Sequence, residues 1–316
     1  MTFLLPYRPP YQWQAMLQFL AARAVPAIEQ VTADGWHRSL MPDRGALADA
    51  DSDADSDAGA EAGADAGRPV GTGIVSVTDE PNRQALRVRL SPNLAGRQAS
   101  LMARLAAMFD TACDPQAIDA ALGELAAAEP GLRLPGTIDP FELVVRAILG
   151  QQVTVAAART LAVRLVARYG TPLPVGTTGS SVPITHCFPS AGQLAAEGAA
   201  AIDELGRLGI IRTRGAAILA VAMAMHDGRL LLQPGAPVEP ALAALTAIRG
   251  IGPWTAHYIA MRALGWRDAF PPGDVAVLKA LSLTSAAAAA RAAEGWRPWR
   301  AYAVLHLWRR VVVSAR

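Results

Sequence analysis

Two stretches near the carboxyl end combine residue types that can carry chemistry. LTAIRGIGPWTAHYIAM contains two glycines, a proline and two aromatic residues, and DAFPPGDVAVLKAL contains an acid after Pro-Pro-Gly. That acid, Asp274, precedes an apolar helical pattern, where a carboxylate can stabilise a developing positive charge or act as a general base. The alternative for Asp274 is a plain helix N-cap. Asp268 is a rival acid nearby, and it also fits an ordinary loop position.

The residues Gly250-Ile251-Gly252-Pro253 interrupt two apolar helical patterns and predict a tight hairpin between two helices. The glycines permit a left-handed turn, and Pro253 suits the first position of the second helix. Free amide groups at a helix start bind anions such as phosphate, to which the Thr255 hydroxyl adds a donor. The alternative is an ordinary helical hairpin whose glycines only permit close packing.

Trp254 and Tyr258 lie four residues apart, so the helix after the hairpin carries both on one face. Taken alone, this spacing favours packing in a core. His257 and His306 also lie on helical patterns next to aromatic positions. We interpret both histidines as packing or hydrogen-bonding residues, with a role in a pocket or at DNA as the alternative.

Taken together, the two stretches over residues 245–281 resemble the helix-hairpin-helix, Gly/Pro and aspartate motif of the DNA glycosylase superfamily. Within that superfamily the chain resembles the AlkA-type DNA-3-methyladenine glycosylases II. The similarity covers nearly the whole chain, except for an acidic segment and a loop around 172–185. The other matching segments are PPYQWQAMLQFLAARAVPAIE, FDTACDPQAI, PGLRLPGTIDPFELVVRAILGQQVTVAAA and WRPWRAYAVLHLW.

The resemblance implies roles for the matching residues. Asp274 corresponds to the essential carboxylate that faces the flipped sugar, and Trp254, Tyr258 and Trp308 correspond to the aromatic residues that line the pocket for the flipped base. The hairpin Gly250-Ile251-Gly252 corresponds to the segment that grips a DNA phosphate beside the lesion.

The resemblance also implies that Gln151 and Gln152 occupy the loop that fills the gap left by the flipped base. The position of Gln152 is a leucine in the best-known pattern, so a glutamine wedge replaces apolar contact with hydrogen bonds. By the same resemblance, the carbonyl groups of Thr246, Ile248 and Ile251 hold a monovalent cation, Na⁺ or K⁺, between the protein and DNA.

The implied activity is the hydrolytic release of alkylated bases, such as 3-methyladenine and 7-methylguanine, from double-stranded DNA in base excision repair. An alkylated purine is positively charged, which makes it a good leaving group and a good partner for aromatic faces. The alternative is a helix-hairpin-helix protein that binds DNA without chemistry. Such a protein does not need the combination of Asp274 with Trp254, Tyr258 and Trp308.

Two absences narrow the predicted activity. Relatives with lyase activity place a lysine just after the hairpin, where this chain has Trp254, and Lys279 lies one turn into the helix after Asp274. We therefore expect a monofunctional enzyme. The only cysteines, Cys113 and Cys187, cannot form the four-cysteine iron–sulfur cluster of some relatives, so we expect no such cofactor. Both absences disfavour a glycosylase for oxidised or mismatched bases.

The elements that position these residues divide the chain into an α+β part and an all-α part. Alternating patterns at 72–78 and 85–91, preceded by a helical stretch at 13–28, predict an N-terminal antiparallel β-sheet domain with helices. The resemblance implies that this domain is of the TBP-like type. From about residue 100, helical patterns follow one another with almost no strand signal. They lie at 98–109, 115–127, 139–150, 153–168, 191–204, 213–226, 239–247, 254–264, 274–282, 285–295 and 299–312.

These patterns predict an α+β domain followed by an all-α region, and the resemblance implies that the all-α region is a two-lobed helix-hairpin-helix glycosylase core. We assign the N-terminal α+β domain to residues 1–112. A helical domain that contains the hairpin covers 136–266. A second helical lobe, formed by 113–135 plus 267–316, carries Asp274.

The charge distribution suits a polyanionic partner. Residues 45–67 contain seven acids and no base, and taking these seven negative charges from a net charge of +2 leaves +9 on the remainder. We expect a disordered acidic insert over 45–68, which points away from DNA. No apolar run reaches the length of a membrane span, and the start lacks a signal-peptide pattern. We expect a monomer in the bacterial cytoplasm, associated with the nucleoid, with duplex DNA as its partner.

Overall fold

The computed structural model describes residues 1–41, 71–94, 96–174 and 183–313, without the side chains of residues 312 and 313. The predicted acidic insert over 45–68 lies outside the described residues, as does the middle of the predicted loop around 172–185. Among the helices of the described ranges, none is both long and apolar enough to cross a membrane.

The N-terminal part is a five-stranded antiparallel β-sheet with two helices. The strand order is β1-β5-β4-β3-β2, and α1 and α2 pack with the strands in one hydrophobic cluster. Trp36, Val75, Val77 and Val88 are fully buried in that cluster, as the strand period requires of one face. The elements are β1 (Thr2–Pro6), α1 (Trp13–Ala21), β2 (Glu29–Val31), β3 (Gly35–Leu40), β4 (Gly73–Glu80), β5 (Ala85–Leu90) and α2 (Gln98–Met108).

The sheet is larger than the two strands that the sequence predicts. Both predicted strands are confirmed as β4 and β5, but β1, β2 and β3 carry no clear alternation. In β3, Arg38 and Ser39 are buried because both have hydrogen-bond acceptors: Arg38 donates to the Glu142 carboxylate, and the Ser39 hydroxyl donates to the Ile28 carbonyl. Such buried polar residues hide a strand from a periodicity argument. The predicted helix over 13–28 ends at Ala21.

The remainder is helical, and each predicted helix is found near its predicted position. One difference is the stretch 191–204, which splits into two helices around Gly198, a residue with φ +57°. A further difference is a pair of two-residue antiparallel strands, β6 (Thr171–Pro172) and β7 (His186–Cys187). The helices are α3 (Pro115–Leu122), α4 (Pro140–Leu149), α5 (Val155–Tyr169), α6 (Ala191–Ala196), α7 (Ala200–Arg207), α8 (Arg212–His226), α9 (Val238–Ala247), α10 (Pro253–Ala263), α11 (Val275–Ala280), α12 (Ala286–Ala292) and α13 (Arg300–Val313).

Three hydrophobic clusters organise the described residues. The first contains the sheet with α1 and α2, the second contains the hairpin helices with α4, α5 and α8, and the third contains α3, α11, α12 and α13. Tyr258 and Trp266 pack against both helical clusters. The second cluster also includes Val25 and Ile28, which the predicted domain division assigns to the N-terminal part. That division itself stays a prediction.

Buried ion pairs join the sheet domain to α4. The Arg38 guanidinium contacts both the Glu142 and the Glu29 carboxylates, and Arg146 Nη1 lies 2.9 Å from Glu29 Oε1 and 2.6 Å from Glu142 Oε1. Because both carboxylates and Arg38 are almost fully buried, each charge depends on the others for compensation. This network fixes the sheet domain against the wall of the cavity described below.

Candidate active site

Asp274 is held in place by three N–H donors. As the N-cap of α11, its Oδ1 accepts from the backbone N–H of Val277 at 2.8 Å, so the predicted cap is confirmed. The same oxygen accepts from Trp308 Nε1 at 3.1 Å, and Oδ2 accepts from Trp254 Nε1 at 2.9 Å. The residue is buried, yet it lines a large cavity. Asp274 therefore caps α11 and at the same time places its carboxylate at the wall of the cavity.

The three predicted pocket aromatics lie together beside this carboxylate. The rings of Trp254 and Tyr258 are stacked with centroids 5.4 Å apart and an interplanar angle of 7°. Tyr258 and Trp308 are tilted by 47° with centroids 6.3 Å apart. Trp254 remains 36% exposed, so its ring forms part of the cavity mouth.

A cavity of about 600 Å³ lies where the three hydrophobic clusters meet, a size typical of ligand pockets. Helices α1, α4, α10 and α13 all contribute to its wall. The wall contains apolar and aromatic side chains together with several guanidinium groups. The residues used below are Phe19, Arg23, Arg38, Arg146, Val153, Trp254, Tyr258, Arg262, Asp274, Trp308 and Arg309.

The phenol of Tyr258 lies among cations at the inner wall. Arg262 Nη1 donates to the Tyr258 hydroxyl at 2.9 Å. Burial raises the pKa of Tyr258, but the positive charges of Arg262, Arg23 and Arg146 outweigh burial and lower this pKa to about 8. The wall is thus more polar than aromatic residues alone would make it.

The hairpin has the predicted geometry. Gly250 has φ +100°, and Gly252 has an ordinary φ of −86° as the residue before α10. Pro253 occupies the first turn of α10, as expected. Ile251 is buried in the helical cluster and anchors the hairpin. A side chain at Gly252 would meet no protein atom within 4 Å, so the backbone there is open to a ligand.

Thr255 and Gln151 contact each other. Gln151 Nε2 donates to the Gly250 carbonyl at 2.8 Å and to the Thr255 hydroxyl at 3.2 Å. The Thr255 side chain is buried, so it supports the hairpin from inside. The Arg214 guanidinium donates to the Gln151 carbonyl on the other side. Gln151 therefore connects the loop after α4 to the hairpin.

Gln152 lies at the tip of that loop and is exposed. Its φ is +54°, in the left-handed region that non-glycine residues rarely adopt. Such strain persists where the surroundings enforce it, and it occurs often at functional sites. The neighbouring Val153 is exposed and lines the cavity, so an apolar side chain is present beside the predicted glutamine wedge.

Comparisons with known proteins agree with this site. Residues 2–139 match the family model of the AlkA N-terminal domain, and residues 145–296 match the HhH-GPD superfamily of base excision DNA repair proteins. The DNA-3-methyladenine glycosylase 2 of Escherichia coli (strain K12) is 37% identical over 308 residues, which are 97% of this chain and 96% of that protein. The chain belongs to the AlkA-type DNA glycosylases.

Solved structures of glycosylases share this fold. The 3-methyladenine DNA glycosylase from Archaeoglobus fulgidus superposes with a TM-score of 0.73 at 20% identity, covering 99% of this chain and 98% of that one. The 8-oxoguanine glycosylase/lyase of Clostridium acetobutylicum, in complex with double-stranded DNA, gives a TM-score of 0.59 at 17% identity over 77% and 83% of the two chains. Membership of a family of DNA-binding repair enzymes favours a catalytic role over DNA binding without chemistry.

In this glycosylase the rival acid Asp268 has another role. Arg300 Nε and Nη2 donate to its two oxygens at 2.7 and 2.8 Å, and Arg297 Nη1 donates at 2.6 Å. Asp268 does not line the cavity. Lys279 is exposed on α11 and does not line it either. Of the two candidate acids, Asp274 and Asp268, only Asp274 lines the cavity.

The two histidines lie outside the cavity wall. His306 is buried, and burial lowers its pKa to about 4, so it is neutral at physiological pH. His257 is half-buried, and burial together with the charge of Arg300 lowers its pKa as well. The position of both histidines outside the cavity wall agrees with their interpretation as packing or hydrogen-bonding residues.

The carbonyl groups predicted to hold a cation lie in the hairpin of the glycosylase. The Ile248 carbonyl accepts the Ile251 N–H at 3.0 Å. Within the described residues, the carbonyls of Thr246 and Ile251 accept no backbone hydrogen bond outside regular helices and strands. Neutral carbonyl oxygens with free lone pairs are suitable ligands for Na⁺ or K⁺, so the residues fit the predicted ion. No group of three or more His, Cys, Asp or Glu side chains in the described ranges forms a metal site.

The sequence arguments missed Phe19, Arg23 and Arg262 at the inner cavity wall. Arg262 follows Tyr258 by four positions on one face of α10. Arg23 follows Phe19 by four positions and lies just beyond the end of α1. That spacing was the available signal. It identifies neighbours, but it does not show that α1 and α10 face the same cavity.

Proposed function

We propose that this glycosylase is monofunctional and hydrolyses the glycosidic bond of alkylated bases, such as 3-methyladenine and 7-methylguanine, in double-stranded DNA. The main support is the position of Asp274, whose carboxylate is fixed by three N–H donors at the edge of an aromatic cavity. Breaking the bond builds positive charge on the sugar. A fixed carboxylate stabilises that charge and orients or deprotonates the attacking water.

The target nucleotide leaves the duplex and places its base in the cavity, where Trp254, Tyr258 and Trp308 offer ring faces. A cationic alkylated purine gains from contact with those faces. The loop tip with Gln152 fills the gap that remains in the duplex. These roles are supported by the shared location of the aromatic rings, the loop and Asp274.

The hairpin supplies the grip on DNA. The open backbone at Gly252 and the start of α10 offer amide groups to a phosphate. We further propose that the carbonyls of Thr246, Ile248 and Ile251 hold Na⁺ or K⁺, whose positive charge attracts the same phosphate. Gly250 gives the hairpin the left-handed turn that brings these groups together.

The absence of lyase activity is proposed from the position of the amines. A Schiff-base nucleophile must reach the sugar carbon, but Trp254 follows the hairpin, and the only lysine, Lys279, is exposed and outside the cavity wall. We place the enzyme in the cytoplasm, acting on chromosomal DNA as a monomer.

The test is base release from methylated duplex DNA by the wild type, Asp274→Asn and Asp268→Asn. Asparagine still caps α11, so Asp274→Asn should fold and bind DNA but release no free base. Asp268→Asn should retain base release, because Asp268 lies outside the cavity. Strands that stay intact until alkali is added support a monofunctional enzyme. DNA binding by the wild type without any base release would instead indicate a non-catalytic helix-hairpin-helix protein.

A further inference from the structure

An arginine from a distant helix holds the backbone of the loop after α4. Arg214 lies in the first turn of α8, and its Nη2 donates to the carbonyl oxygen of Gln151. Within the described ranges Arg214 forms no salt bridge, whereas Arg212, two positions earlier on α8, pairs with Asp203 at 2.9 Å. The charge of Arg214 is therefore directed at a backbone oxygen of the loop and not at an acid.

This contact controls the left-handed conformation of the loop tip. The Gln151 carbonyl belongs to the planar peptide unit that supplies the nitrogen of Gln152. The angle φ of Gln152 describes the rotation between that peptide unit and the Gln152 Cα, and it is +54°. Because the Arg214 guanidinium holds the carbonyl, it holds this angle as well. A residue other than glycine keeps such an angle only where its surroundings enforce it.

The start of α8 also supports the hairpin. A Cβ added at Gly250 would lie 3.3 Å from the Ala217 Cβ and 3.9 Å from the Thr213 carbonyl oxygen, so the hairpin backbone packs directly on α8. From the other side, Gln151 Nε2 donates to the Gly250 carbonyl at 2.8 Å. The first turns of α8 thus contact both the loop and the hairpin, and they fix the position of one relative to the other.

A fixed loop tip is ready to enter a duplex. Gln152 is exposed, and Val153 is 38% exposed and lines the cavity. In the proposed function this tip occupies the gap from which the target nucleotide leaves, while the hairpin grips the backbone. A loop that is ordered before binding avoids the free-energy cost of becoming ordered on the DNA. A loosened tip would hold the gap less well, and the nucleotide would return to the stack more often.

We propose that Arg214 is a positioning residue for nucleotide flipping, which holds the Gln151–Gln152 peptide unit so that the loop tip and the hairpin engage the duplex together. This inference rests on the proposed glycosylase function. Arg214 does not line the cavity, so it acts through the loop and not on the base or on Asp274. Its effect belongs to extrusion of the nucleotide, and not to the grip on undamaged DNA.

The experiment measures extrusion, base release and DNA affinity in the wild type, Arg214→Met, Arg214→Lys and Arg212→Met. Extrusion is followed by the fluorescence of 2-aminopurine placed beside 7-methylguanine in a duplex. For this measurement each variant also carries Asp274→Asn, which leaves the base attached. In Arg214→Met, the equilibrium constant for extrusion and the single-turnover rate of 7-methylguanine release should both fall about tenfold, as expected for the loss of one hydrogen bond from a charged donor. Affinity for undamaged duplex should not change.

Two comparisons separate positioning from a general loss of charge or stability. Arg214→Lys keeps a donor for the Gln151 carbonyl and should recover part of both losses. Arg212→Met removes the same charge from the same turn of α8 but no contact with the loop, so extrusion should stay at the wild-type level. Thermal melts of all variants show whether each one is folded.

A third comparison places Arg214→Met in a Gln152→Gly background. Glycine removes the side chain at the tip and adopts a positive φ without strain, so the contact from Arg214 loses its purpose there. Arg214→Met should then cause little further loss of extrusion. If Arg214→Met does not fold, Arg214→Lys replaces it in this comparison, and its partial loss should likewise disappear in the glycine background.

Several results would overturn the positioning role. One is a loss of affinity for undamaged duplex that matches the loss of excision, with a weaker salt dependence, because Arg214 would then be a phosphate contact. Others are an equal loss in Arg212→Met, or a full further loss in the Gln152→Gly background. Normal extrusion and base release by a folded Arg214→Met overturn this inference alone. A wild type that releases no base overturns the proposed function.

Discussion

Trp254 Nε1 donates a hydrogen bond to Asp274 Oδ2 at 2.9 Å, while the same indole stacks on Tyr258. One residue thus belongs both to the wall that receives a base and to the set of donors that orient the carboxylate. Trp308 likewise lines the cavity beside Tyr258 and donates from Nε1 to Asp274 Oδ1 at 3.1 Å. Base binding and carboxylate placement are therefore linked through two indole N–H groups.

This link predicts the effect of Trp254→Phe. Phenylalanine keeps a ring for stacking but leaves Asp274 Oδ2 without its donor. A hydrogen bond to a charged group contributes about 1.5–3 kcal/mol, so we expect the single-turnover excision rate to fall by about tenfold to a hundredfold. DNA affinity should change far less. Trp308→Phe removes the donor to Oδ1 and provides the comparison. Loss of affinity with an unchanged rate would mean that Trp254 only binds the base.

The two hairpin glycines predict opposite effects of alanine. At Gly250, φ is +100° and an added Cβ comes within 3.3 Å of the Ala217 Cβ, so Gly250→Ala should destabilise the fold. At Gly252, φ is ordinary and an added Cβ meets no protein atom within 4 Å. Gly252→Ala should therefore keep the wild-type melting temperature but weaken binding of duplex DNA, because the methyl group obstructs the phosphate.

The measurement is a thermal melt beside a DNA titration for both variants. Gly252→Ala with wild-type affinity would show that the glycine is not needed for close approach of DNA, and the hairpin would then be only a packing device. A folded Gly250→Ala with a normal melting temperature would contradict the strain argument at that position.

Gln151 predicts energetic coupling between the loop after α4 and the hairpin. Gln151→Ala removes the bonds to the Gly250 carbonyl and the Thr255 hydroxyl, so both DNA affinity and excision should fall. In a double-mutant cycle, Gln151→Ala and Thr255→Val should couple by about 0.5–3 kcal/mol in DNA binding. Gln152→Ala with Thr255→Val is the control cycle. We expect additivity there, since the structure shows no Gln152 contact to Thr255. Additivity in both cycles would remove Gln151 from the coupling.

Much of this site could be predicted because its signals are local in sequence. The hairpin, Pro253 at the helix start and Asp274 as a cap are each written in a few consecutive residues, and the structure has all three. The helices after residue 100 were predictable for the same reason. Several of them begin at a residue whose side chain caps the helix, such as Asp139 before α4 and Thr154 before α5.

The missed features depend on contacts between distant segments. Strand β3 is hidden because Arg38 is buried beside Glu142, which is more than a hundred residues away. The inner cavity wall is hidden because Arg23 and Arg262 meet only when α1 packs near α10. The Thr255 hydroxyl, expected to face phosphate, contacts Gln151 on a different helix–loop unit. No periodicity within one segment indicates such pairs.

The lowered pKa of Tyr258 predicts an early step in a tyrosine titration. Burial raises its pKa, yet Arg262, Arg23 and Arg146 lower it to about 8. The pKa of each of the other four tyrosines is raised above 10, with burial as the largest cause; they are Tyr7, Tyr11, Tyr169 and Tyr302. Near-ultraviolet absorbance should show one phenol ionising near pH 8 and four at far higher pH.

Two variants check the assignment of that step. Tyr258→Phe should remove it, and Arg262→Met should move it toward the ordinary value of 10. Because the folded-state pKa lies below the unfolded value, the phenol should add stability as pH rises from about 8 toward 10. A titration in which no tyrosine ionises below pH 10 would contradict the cationic environment of the inner wall.

Glu142 predicts a pH-dependent contribution to folding. Burial raises the pKa of its carboxyl, but Arg38 and Arg146 outweigh burial and hold this pKa below the usual 4.5. Breaking a buried ion pair costs about 3–5 kcal/mol, so Glu142→Gln should lower the free energy of unfolding by about that amount at neutral pH. A depressed carboxyl pKa gives stability that is present above about 4.5 and lost as pH falls through the folded-state value. The difference between Glu142→Gln and the wild type should therefore shrink in acid.

The matched control is Glu129→Gln, which removes the partner of Arg309 at a partly exposed position, where the carboxylate is 33% exposed against 4% for Glu142. A solvent-accessible pair contributes about 0–1 kcal/mol, so chemical denaturation should show only a small loss for Glu129→Gln. Equal losses in the two variants, or a Glu142→Gln deficit that persists unchanged in acid, would refute the buried network as the joint between the sheet domain and α4. Because that joint forms the wall behind Arg146, a destabilised Glu142→Gln enzyme should also lose excision of every base alike.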